Sequence, residues 1–495
     1  MNELRNAFTM NILWITTDHQ QWRTIAGRSA CRMPNLQRLI DRGLLFHRPY
    51  APMSVCCPVR AMWASGAWPW HNGVYTQVHS APSISRDMWP GVVGYADRLR
   101  DAGYRTGFVG KWHASQVRPP FHFGFDEVAY PRSCPGALPP GKAFRPEPAL
   151  PADLPPMRYT PVRQFRWPGS EPFDMWGHNE GPVERLGTHR LAAAACELLA
   201  EFAAAHRPWH LAVHFPEPHD AYRPHVRFLE GYDPAEMPVP ASFHDDFAGK
   251  PGMHRRESET WGHFDERDVR QGTAYYFAYC TQIDDAVGRI LDALDATGQT
   301  DDTLIAFCCD HGDLVGAHHM WIKSWMPYEE DWLMPMFLAG PGVPAGGVTD
   351  HLVQTHDLPH TFCELAGAEP LPHPDGRSLL PLLAEPARDD WEDAVLCACY
   401  GCEFFVTMRM VITPRYKLVA NGFDYDELYD LANDPDEMHN LIRDPAHAAA
   451  LGELRAKLYE LMARFGDPYG DRPAEGLPGA GRLSRYGGPR YWPRK

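Results

Sequence analysis

The chain lacks an apolar run of the roughly 20 residues that a transmembrane helix needs, and its first residues lack the apolar core and cleavage site of a signal peptide. It also has no block of Lys and Arg. Its 63 acidic residues against 47 basic ones give a formal net charge of −16. These absences predict a cytoplasmic protein that binds neither nucleic acid nor membrane. If the substrate is an anion, the cations that bind it must therefore be gathered locally.

No spacing of the disulfide or zinc-binding type relates the 12 cysteines. Two pairs are adjacent in the sequence, at 56/57 and 308/309, which suits bridges poorly. Cys397, Cys399 and Cys402 lie close together, but no second ligand cluster accompanies them. We therefore expect reduced, mostly buried thiols.

At 495 residues the chain exceeds one compact core of ordinary size, and 44% hydrophobic residues are typical of a folded protein. Apolar runs typical of buried strands alternate with segments of helical spacing. Strands are expected at 11–17, 104–109, 210–215 and 303–309, and helices at 34–42, 93–102 and 284–296. The alternation predicts an α/β fold with a large mixed, mainly parallel sheet between helices.

Changes in composition divide the chain into three predicted regions. Residues 1–390 are expected to form the large domain. Within it, the Pro-rich stretch 118–182 is expected to cross the surface without regular structure and to form a pocket wall. Residues 391–465 are expected to form a smaller α+β domain, and residues 466–495, which show no periodicity, an extended tail.

The smaller domain is expected to contain an antiparallel sheet. Its strands are predicted at 404–412 and 417–421, where strand-like segments alternate with turns. A helix predicted at 446–464 closes this sheet.

Acids, imidazoles and amines directly follow each predicted strand of the large domain. They are Asp18 and His19; Lys111 and His113; Glu217, His219 and Asp220; and Asp310, His311 and Asp313. In parallel sheets, ligands bind beyond the carboxyl ends of the strands, where such residues meet. One cluster alone is commonly a helix cap or a solvated loop. Four clusters at the same edge predict a metal-bearing site for an anion.

The segment Cys56-Cys57-Pro58-Val59-Arg60 is a Cys-x-Pro-x-Arg run. Taken alone, it is also typical of a turn that bears an arginine, with Pro58 opening a helix. Other motifs follow in order: Gly110-Lys111-Trp112-His113, Glu217-Pro218-His219, Asp310-His311-Gly312, Gly316 to Lys323, Tyr328-Glu329-Glu330, and Glu427 to Leu431 with Asp434-Pro435, Glu437 and Asn440-Leu441. With this set the chain resembles the sulfatase branch of the alkaline-phosphatase superfamily, which implies an alkaline-phosphatase-like fold.

The resemblance implies that Cys56 is oxidised after translation to formylglycine, by a formylglycine-generating enzyme or an equivalent, and that the hydrated aldehyde is the nucleophile. It also implies one divalent cation, held by Asp18, His19, Asp310, His311 and an oxygen of the modified Cys56. Sulfatases more often carry Asp, Gln or Asn where His19 and His311 stand. Because all-oxygen sites suit Ca²⁺ and mixed sites suit Mn²⁺, either ion is expected.

The remaining roles also come from the resemblance. Arg60 and Lys111 are expected to hold the hydrated aldehyde, and His113 to hydrogen-bond its second hydroxyl. His219 and Lys323, together with Lys111, are expected to bind the substrate, the first two facing the leaving oxygen, where a cation offsets developing charge. After attack, the aldehyde re-forms as sulfate is expelled, so that water need not attack sulfur.

The resemblance implies an enzyme that hydrolyses sulfate monoesters. An arylsulfatase type is expected because aromatic residues are candidate pocket walls at four positions: Trp63, Trp68, Trp70 and Trp112. Lys111 and His113 match the sulfatase pair, whereas the similar phosphonate monoester hydrolases tend to carry Tyr and Thr. A phosphonate monoester or phosphodiester hydrolase is the alternative, since sulfate esters and phosphate-like esters both present tetrahedral oxyanions. A third hypothesis is a non-catalytic relic that binds anions. The sequence leaves open the natural alcohol and a homo-oligomeric state.

Overall fold

The structure is a computed structural model that describes residues 10–80, 83–166, 170–402, 405–422 and 424–468. Its largest element is an eight-stranded sheet. Across the sheet the strands lie in the order β10 (Gly347–Gln354), β2 (Gly43–Tyr50), β9 (Met336–Ala339), β8 (Thr303–Cys309), β1 (Asn11–Thr17), β7 (Trp209–His214), β3 (Arg105–Lys111) and β4 (Glu127–Arg132). Neighbouring strands run parallel, except where β9 pairs with β2 and β8. The predicted large, mainly parallel sheet is confirmed.

Strand β1 shows how helices cover this sheet on both faces. All seven of its residues are buried. Leu13 and Ile15 belong to one core, whereas Ile12 and Trp14 belong to the other, as expected where successive side chains point to opposite faces. The first core includes residues of helices Pro34–Asp41, Gly187–Ala203 and Glu266–Ala296, and the second includes residues of helices Cys56–Ser65, Tyr95–Asp101 and Asp357–Leu365.

The longest helix, Glu266–Ala296, begins well before the predicted start at residue 284. Asp265 caps it by accepting hydrogen bonds from the backbone N–H groups of Arg267 and Asp268. Its first half was missed because an unbroken run of buried residues at 273–280 hides the helical periodicity. The other helices are shorter: Pro69–Asn72, Val226–Leu229, Gly252–Thr260, Glu329–Trp332 and Leu380–Ala384.

The prediction that residues 118–182 lack regular structure was wrong. Strand β4 lies in this stretch and extends the main sheet beside β3. Strands β5 (Arg158–Phe165) and β6 (Phe173–Glu180) form a separate antiparallel pair. Proline is tolerated in such edge pairs, and the register shifts next to Pro161. Most of β5 is not buried, so the apolar alternation that marks a strand is missing from the sequence.

The second sheet is antiparallel and lies in the C-terminal part of the chain. Its strands, in order, are β11 (Val395–Cys399), β12 (Met408–Ile412), β13 (Tyr416–Asn421) and β14 (Glu427–Asp430). The predicted sheet is confirmed, although the sequence missed β11 and β14, and the strand expected from residue 404 begins at Met408. Helix Ala448–Arg464 follows and buries Leu454, Leu458 and Leu461.

The domain boundaries stay predictions, and residues 469–495 of the expected tail lie outside the described residues. None of the 12 cysteines, all of which lie within the described residues, forms a disulfide bridge. Cys397 and Cys399 lie in β11, where burial raises the pKa of both thiols. Within the part of the chain that the structure describes, no helix has the length and hydropathy needed to cross a bilayer.

A buried lysine connects the two sheets. Lys417 of β13 is inaccessible to solvent, and its Nζ lies 2.6 Å from Glu329 Oε1 and 2.7 Å from Glu437 Oε1. The same Nζ donates a hydrogen bond of 2.7 Å to the carbonyl oxygen of Pro327. Burial alone would lower the pKa of Lys417, but the two carboxylates outweigh it and raise that pKa. A charged lysine therefore joins the C-terminal sheet to the segment that precedes β9.

Replacing Lys417 by Met should lower the free energy of unfolding by about 3–5 kcal/mol, because the buried Glu437 and the partly buried Glu329 lose their cation. Urea denaturation followed by circular dichroism measures this loss. The matched control is Lys457→Met, since Lys457 pairs with Glu392 and Glu460 where the partners are partly exposed. That variant should lose at most about 1 kcal/mol. Equal losses in the two variants would contradict the role of Lys417.

Candidate active site

The four polar clusters of the sequence meet at one edge of the main sheet. They follow β8, β1, β7 and β3, which are neighbours in the sheet and run parallel. The loops are also tied to one another, because the backbone N–H of Asp18 donates to the carbonyl oxygen of Glu217 at 3.1 Å. The sheet therefore brings together polar residues that lie up to about 300 positions apart in the sequence.

Cys56 occupies the first position of helix Cys56–Ser65 and is completely buried. Pro58 lies in the first turn of this helix, where a missing backbone N–H has no cost. The Cys56 Sγ lies 3.0 Å from His311 Nε2 and 3.8 Å from Asp18 Oδ1. Gln77 Nε2 is also 3.8 Å from this sulfur. If Cys56 is oxidised to formylglycine, the hydroxyl oxygens of the hydrated aldehyde would lie near the position that Sγ occupies here.

Arg60, one turn along the same helix, binds the two aspartates that follow β1 and β8. Its Nε donates to Asp310 Oδ2 at 2.8 Å, and its Nη2 donates to Asp18 Oδ2 at 3.0 Å. Lys111 Nζ forms an ion pair with the same Asp18 oxygen. Arg60 and Lys111 thus surround buried carboxylates, which are costly to bury without cations. Arg60 thus contacts both carboxylates. Lys111 contacts Asp18 and is also close enough to Cys56 for its charge to lower the pKa of that thiol.

Electrostatics around Cys56 favour an anion. Burial alone would raise the pKa of the Cys56 thiol, but Lys111, His311 and Lys323 lower it well below its usual value. For His311, burial alone would lower the pKa, and the negative charges of Cys56 and Asp310 instead raise it to about 10. The position of the Cys56 side chain is therefore suited to negative charge.

Two overlapping groups of residues could hold a metal ion. The first contains Asp18, Cys56, Asp310 and His311, and the second contains Asp18, His19, Cys56 and His219; within each, the ligand atoms lie within 4.8 Å of one another. The five predicted ligands all belong to these groups, together with His219, which was predicted as a catalytic and substrate-binding residue and not as a ligand. Carboxylate oxygens together with imidazole nitrogens are a set of ligand atoms that suits Mn²⁺ and other cations that bind both oxygen and nitrogen. Burial raises the pKa of Asp310 to about 6 despite Arg60, and a cation would oppose that rise.

His219 and Lys323 stand together on the other side of the centre. Lys323 Nζ is 3.0 Å from His219 Nε2 and 3.2 Å from His19 Nε2. The rings of His19 and His219 are 4.0 Å apart. Burial alone would lower the pKa of Lys323, whereas the charges of Cys56 and Asp220 raise it. A cationic amine between two imidazoles can stabilise charge on an oxygen that departs from the centre.

His113 lies close to Cys56 but bonds to a histidine that the sequence analysis missed. Its Nε2 is 2.9 Å from His79 Nδ1, and the two rings stack at 4.7 Å. Burial, followed by the charge of Lys111, lowers the pKa of His113 to about 4, so its imidazole is neutral. Neither His79 nor Gln77 belongs to a recognisable motif. Their position 20 or so residues after Cys56, on a loop that returns to the centre, is the only sequence signal they carry.

The four tryptophans proposed as pocket walls lie in the core instead. Trp63 is packed against Trp14 at 5.2 Å, and Trp68 stacks on Trp70 at 4.9 Å. Trp112 packs against Phe108 and Phe123. None of the four is more than 7% exposed. This prediction was wrong because large aromatic side chains supply core volume as readily as pocket surface.

A buried centre of carboxylates, imidazoles and cations at the carboxyl edge of a mainly parallel sheet defines an alkaline-phosphatase-like hydrolase. Comparison with protein families agrees with this class: residues 10–368 match the family described as Sulfatase, and residues 316–464 match N-sulphoglucosamine sulphohydrolase, C-terminal. The chain belongs to the sulfatase family, whose members are sulfuric ester hydrolases.

Individual relatives cover nearly the whole chain. A choline-sulfatase from Rhizobium meliloti (strain 1021) is 29% identical over 485 residues, which span 92% of this chain and 87% of that protein. Arylsulfatase K from Gallus gallus is 25% identical over 488 residues, 91% of this chain and 82% of that protein. Among solved structures, the phosphonate monoester hydrolase of Agrobacterium radiobacter has a TM-score of 0.74 at 21% identity and covers 92% of this chain and 96% of its own, which indicates a shared fold.

Proposed function

We propose that this sulfuric ester hydrolase cleaves sulfate monoesters, of the arylsulfatase type, with a formylglycine formed from Cys56 and with one divalent cation, Ca²⁺ or Mn²⁺. The observation that carries the proposal is the environment of Cys56 Sγ, which is buried beside His311 Nε2 and Asp18. Lys111, Lys323 and His311 favour an anion there. The four tryptophans are core residues and give no support to an aryl substrate. The arylsulfatase type is supported instead by the similarity to arylsulfatase K.

The residues divide into a nucleophile side and a leaving-group side. Formylglycine would supply the hydroxyl that attacks sulfur, and the aldehyde re-forms when sulfate is expelled. A cation held by Asp18, His19, Asp310, His311 and the modified residue would polarise the sulfate ester. Arg60 fixes Asp18 and Asp310, and the neutral His113 beside Cys56 can accept a proton when sulfate is expelled.

The departing alcohol oxygen takes up negative charge as its bond to sulfur breaks. Lys323 and His219, with Nζ and Nε2 3.0 Å apart, are the groups proposed to offset that charge. His219 Nδ1 lies 2.8 Å from the carbonyl oxygen of Asp220, a contact that orients the ring with Nε2 towards the centre. A proton held between Lys323 and His219 can pass to the alcohol.

A phosphonate monoester or phosphodiester hydrolase is the second candidate. It is supported by the fold shared with a phosphonate monoester hydrolase and by the similar tetrahedral oxyanions of the two substrates. Lys111 and His113 favour sulfate esters, because the related phosphonate enzymes tend to carry Tyr and Thr there. A wild-type preference for phosphonate esters over every sulfate in a panel of aryl, choline and sugar sulfates would select the second candidate.

Active protein should contain formylglycine at position 56. Mass spectrometry of the tryptic peptide should show loss of the thiol, and a hydrazide probe should label this peptide and no other. The Cys56→Ala variant should lose both the labelling and the activity, because no aldehyde can form. A fully active preparation in which Cys56 is an unmodified thiol would refute this part of the proposal.

Alanine variants of the proposed ligands Asp18, Asp310 and His311 should lose metal and activity together while they remain folded. Elemental analysis of the wild type should give one equivalent of metal per chain, and circular dichroism checks the fold. Metal affinity should also fall as the pH is lowered, because protonated imidazoles cannot bind a cation. Asp285→Ala, which breaks an Asp–His pair outside the site, is the control and should keep its metal. Two equivalents in the wild type would indicate a two-metal phosphatase centre.

Lys323→Ala and His219→Ala should each slow hydrolysis of phenyl sulfate by about 100-fold or more, because charge on a poor leaving group is no longer offset. Loss of rate on nitrophenyl sulfate should be much smaller, since that leaving group needs less help. Steady-state kinetics on both substrates measure the difference. His71→Ala, at a histidine–aspartate pair elsewhere in the fold, should change neither rate. Equal losses on the two substrates would show that Lys323 and His219 only bind the anion.

A further inference from the structure

His19 and His311 are the two imidazoles among the proposed ligands, at positions where the resemblance to sulfatases implies Asp, Gln or Asn more often. An amide or carboxylate presents an oxygen to a cation in any protonation state of its neighbours. An imidazole can bind a cation only through the ring nitrogen that carries no proton. A ligand histidine in this place therefore needs a partner that keeps the proton on the other nitrogen.

The structure contains such a partner on the outer side of the ring. His19 is completely buried, and its Nδ1 lies 2.9 Å from Asp313 Oδ2. On the opposite side, its Nε2 lies 3.2 Å from Lys323 Nζ and 3.7 Å from Asp18 Oδ1, within the second group of metal-binding residues. Asp313 is inaccessible to solvent, so water does not compete for its contact with His19. One ring nitrogen thus faces a carboxylate and the other faces the centre.

Both members of this pair are held by their backbones. His19 has a φ of 65°, a left-handed conformation that few residues other than glycine adopt, and Tyr276 donates a hydrogen bond of 2.6 Å to its carbonyl oxygen. Asp313 Oδ1 accepts from the backbone N–H of Val315, and its carbonyl oxygen accepts from Gln21 Nε2. The geometry therefore does not rest on one side-chain rotamer.

Asp313 is separated from the centre itself. Among the described residues, it shares a possible metal-binding group with His19 and Asp220, but not with Asp18 or Cys56. Asp220 Oδ1 lies 3.6 Å from His19 Nδ1 and 3.1 Å from His219 Nδ1, so it faces the outer nitrogens of both imidazoles. The carboxylate of Asp313 behind the His19 ring thus lies where the second partner of a ligand histidine is found.

We propose that Asp313 is a positioning residue for the cation: by accepting the Nδ1 proton of His19, it presents the Nε2 lone pair to the centre. The proposal rests on the proposed function, because it requires a cation to be bound there. Asp313 touches neither substrate nor cation, and acts only through His19.

The test is the affinity of the metal-free protein for Mn²⁺, measured by calorimetry. Asp313→Asn should weaken binding about 10- to 100-fold, because an amide can donate to Nδ1 and favour the wrong tautomer. The matched control is Asp285→Asn, which makes the same change at the partner of the buried His189; the two atoms, His189 Nε2 and Asp285 Oδ2, are 2.8 Å apart and lie outside the possible metal-binding groups of the described residues. The control should bind Mn²⁺ as the wild type does. Unchanged affinity in Asp313→Asn would overturn the proposal.

A double-mutant cycle separates positioning from a general loss of structure. The amide of His19→Gln needs no tautomer control, so adding Asp313→Asn in that background should weaken binding no further. Equal losses in both backgrounds would show that Asp313 acts on stability alone and would overturn the proposal. A wild type that binds neither Mn²⁺ nor Ca²⁺ would instead refute the proposed function, and the inference with it.

A second measurement does not depend on whether the Asp313 variant folds. Nitrogen NMR of metal-free protein labelled at histidine, with the His19 signal assigned by its absence from His19→Gln, reports which ring nitrogen bears the proton. The proton is expected on Nδ1. A proton on Nε2 would contradict the role assigned to Asp313.

Discussion

The centre depends on the pairing of buried charges. Asp18 and Asp310 have no access to solvent, and such carboxylates are tolerated only where cations and hydrogen bonds replace water. Arg60 contacts both aspartates, and Lys111 forms a further ion pair with Asp18. These two cations and two carboxylates compensate one another. If any one of the four side chains were removed, a buried charge would be left without its partner. The ion pairs that shape the centre therefore also add to the stability of the fold.

The same pairing explains how a protein of net charge −16 can attract an anionic ester. Arg60 and Lys111 already offset the two aspartates, so a bound divalent cation, together with Lys323, would leave an excess of positive charge. In a buried site this excess is weakly screened, whereas the acidic outer surface is screened by salt within about 10 Å. Local charge, and not the overall balance, thus decides which ligands bind.

Rigid elements hold the two sides of the proposed reaction at a constant separation. The nucleophile side is carried by helix Cys56–Ser65 and by the ends of β1, β3 and β8, all packed into the cores. The leaving-group side consists of His219, in the loop after β7, and Lys323. Lys323 lies in the segment that leads to Glu329, which pairs with Lys417. Sites built on strands and helices keep their geometry better than sites on free loops. The C-terminal sheet contributes to this rigidity through buried ion pairs.

The alternation of apolar runs by itself determined the α/β class and the four central strands of the main sheet, because buried parallel strands differ plainly from amphipathic helices. Polar residues at strand ends, with the Cys56 and Lys111 motifs, likewise identified the residues that meet at one edge. Only the tertiary structure decided that Trp63, Trp68, Trp70 and Trp112 fill the core, that 118–182 contains strands, and that His79, Gln77 and Asp313 contact the site residues. The physical reason is that such contacts join segments far apart in the sequence, where neither periodicity nor spacing records which side chains face each other.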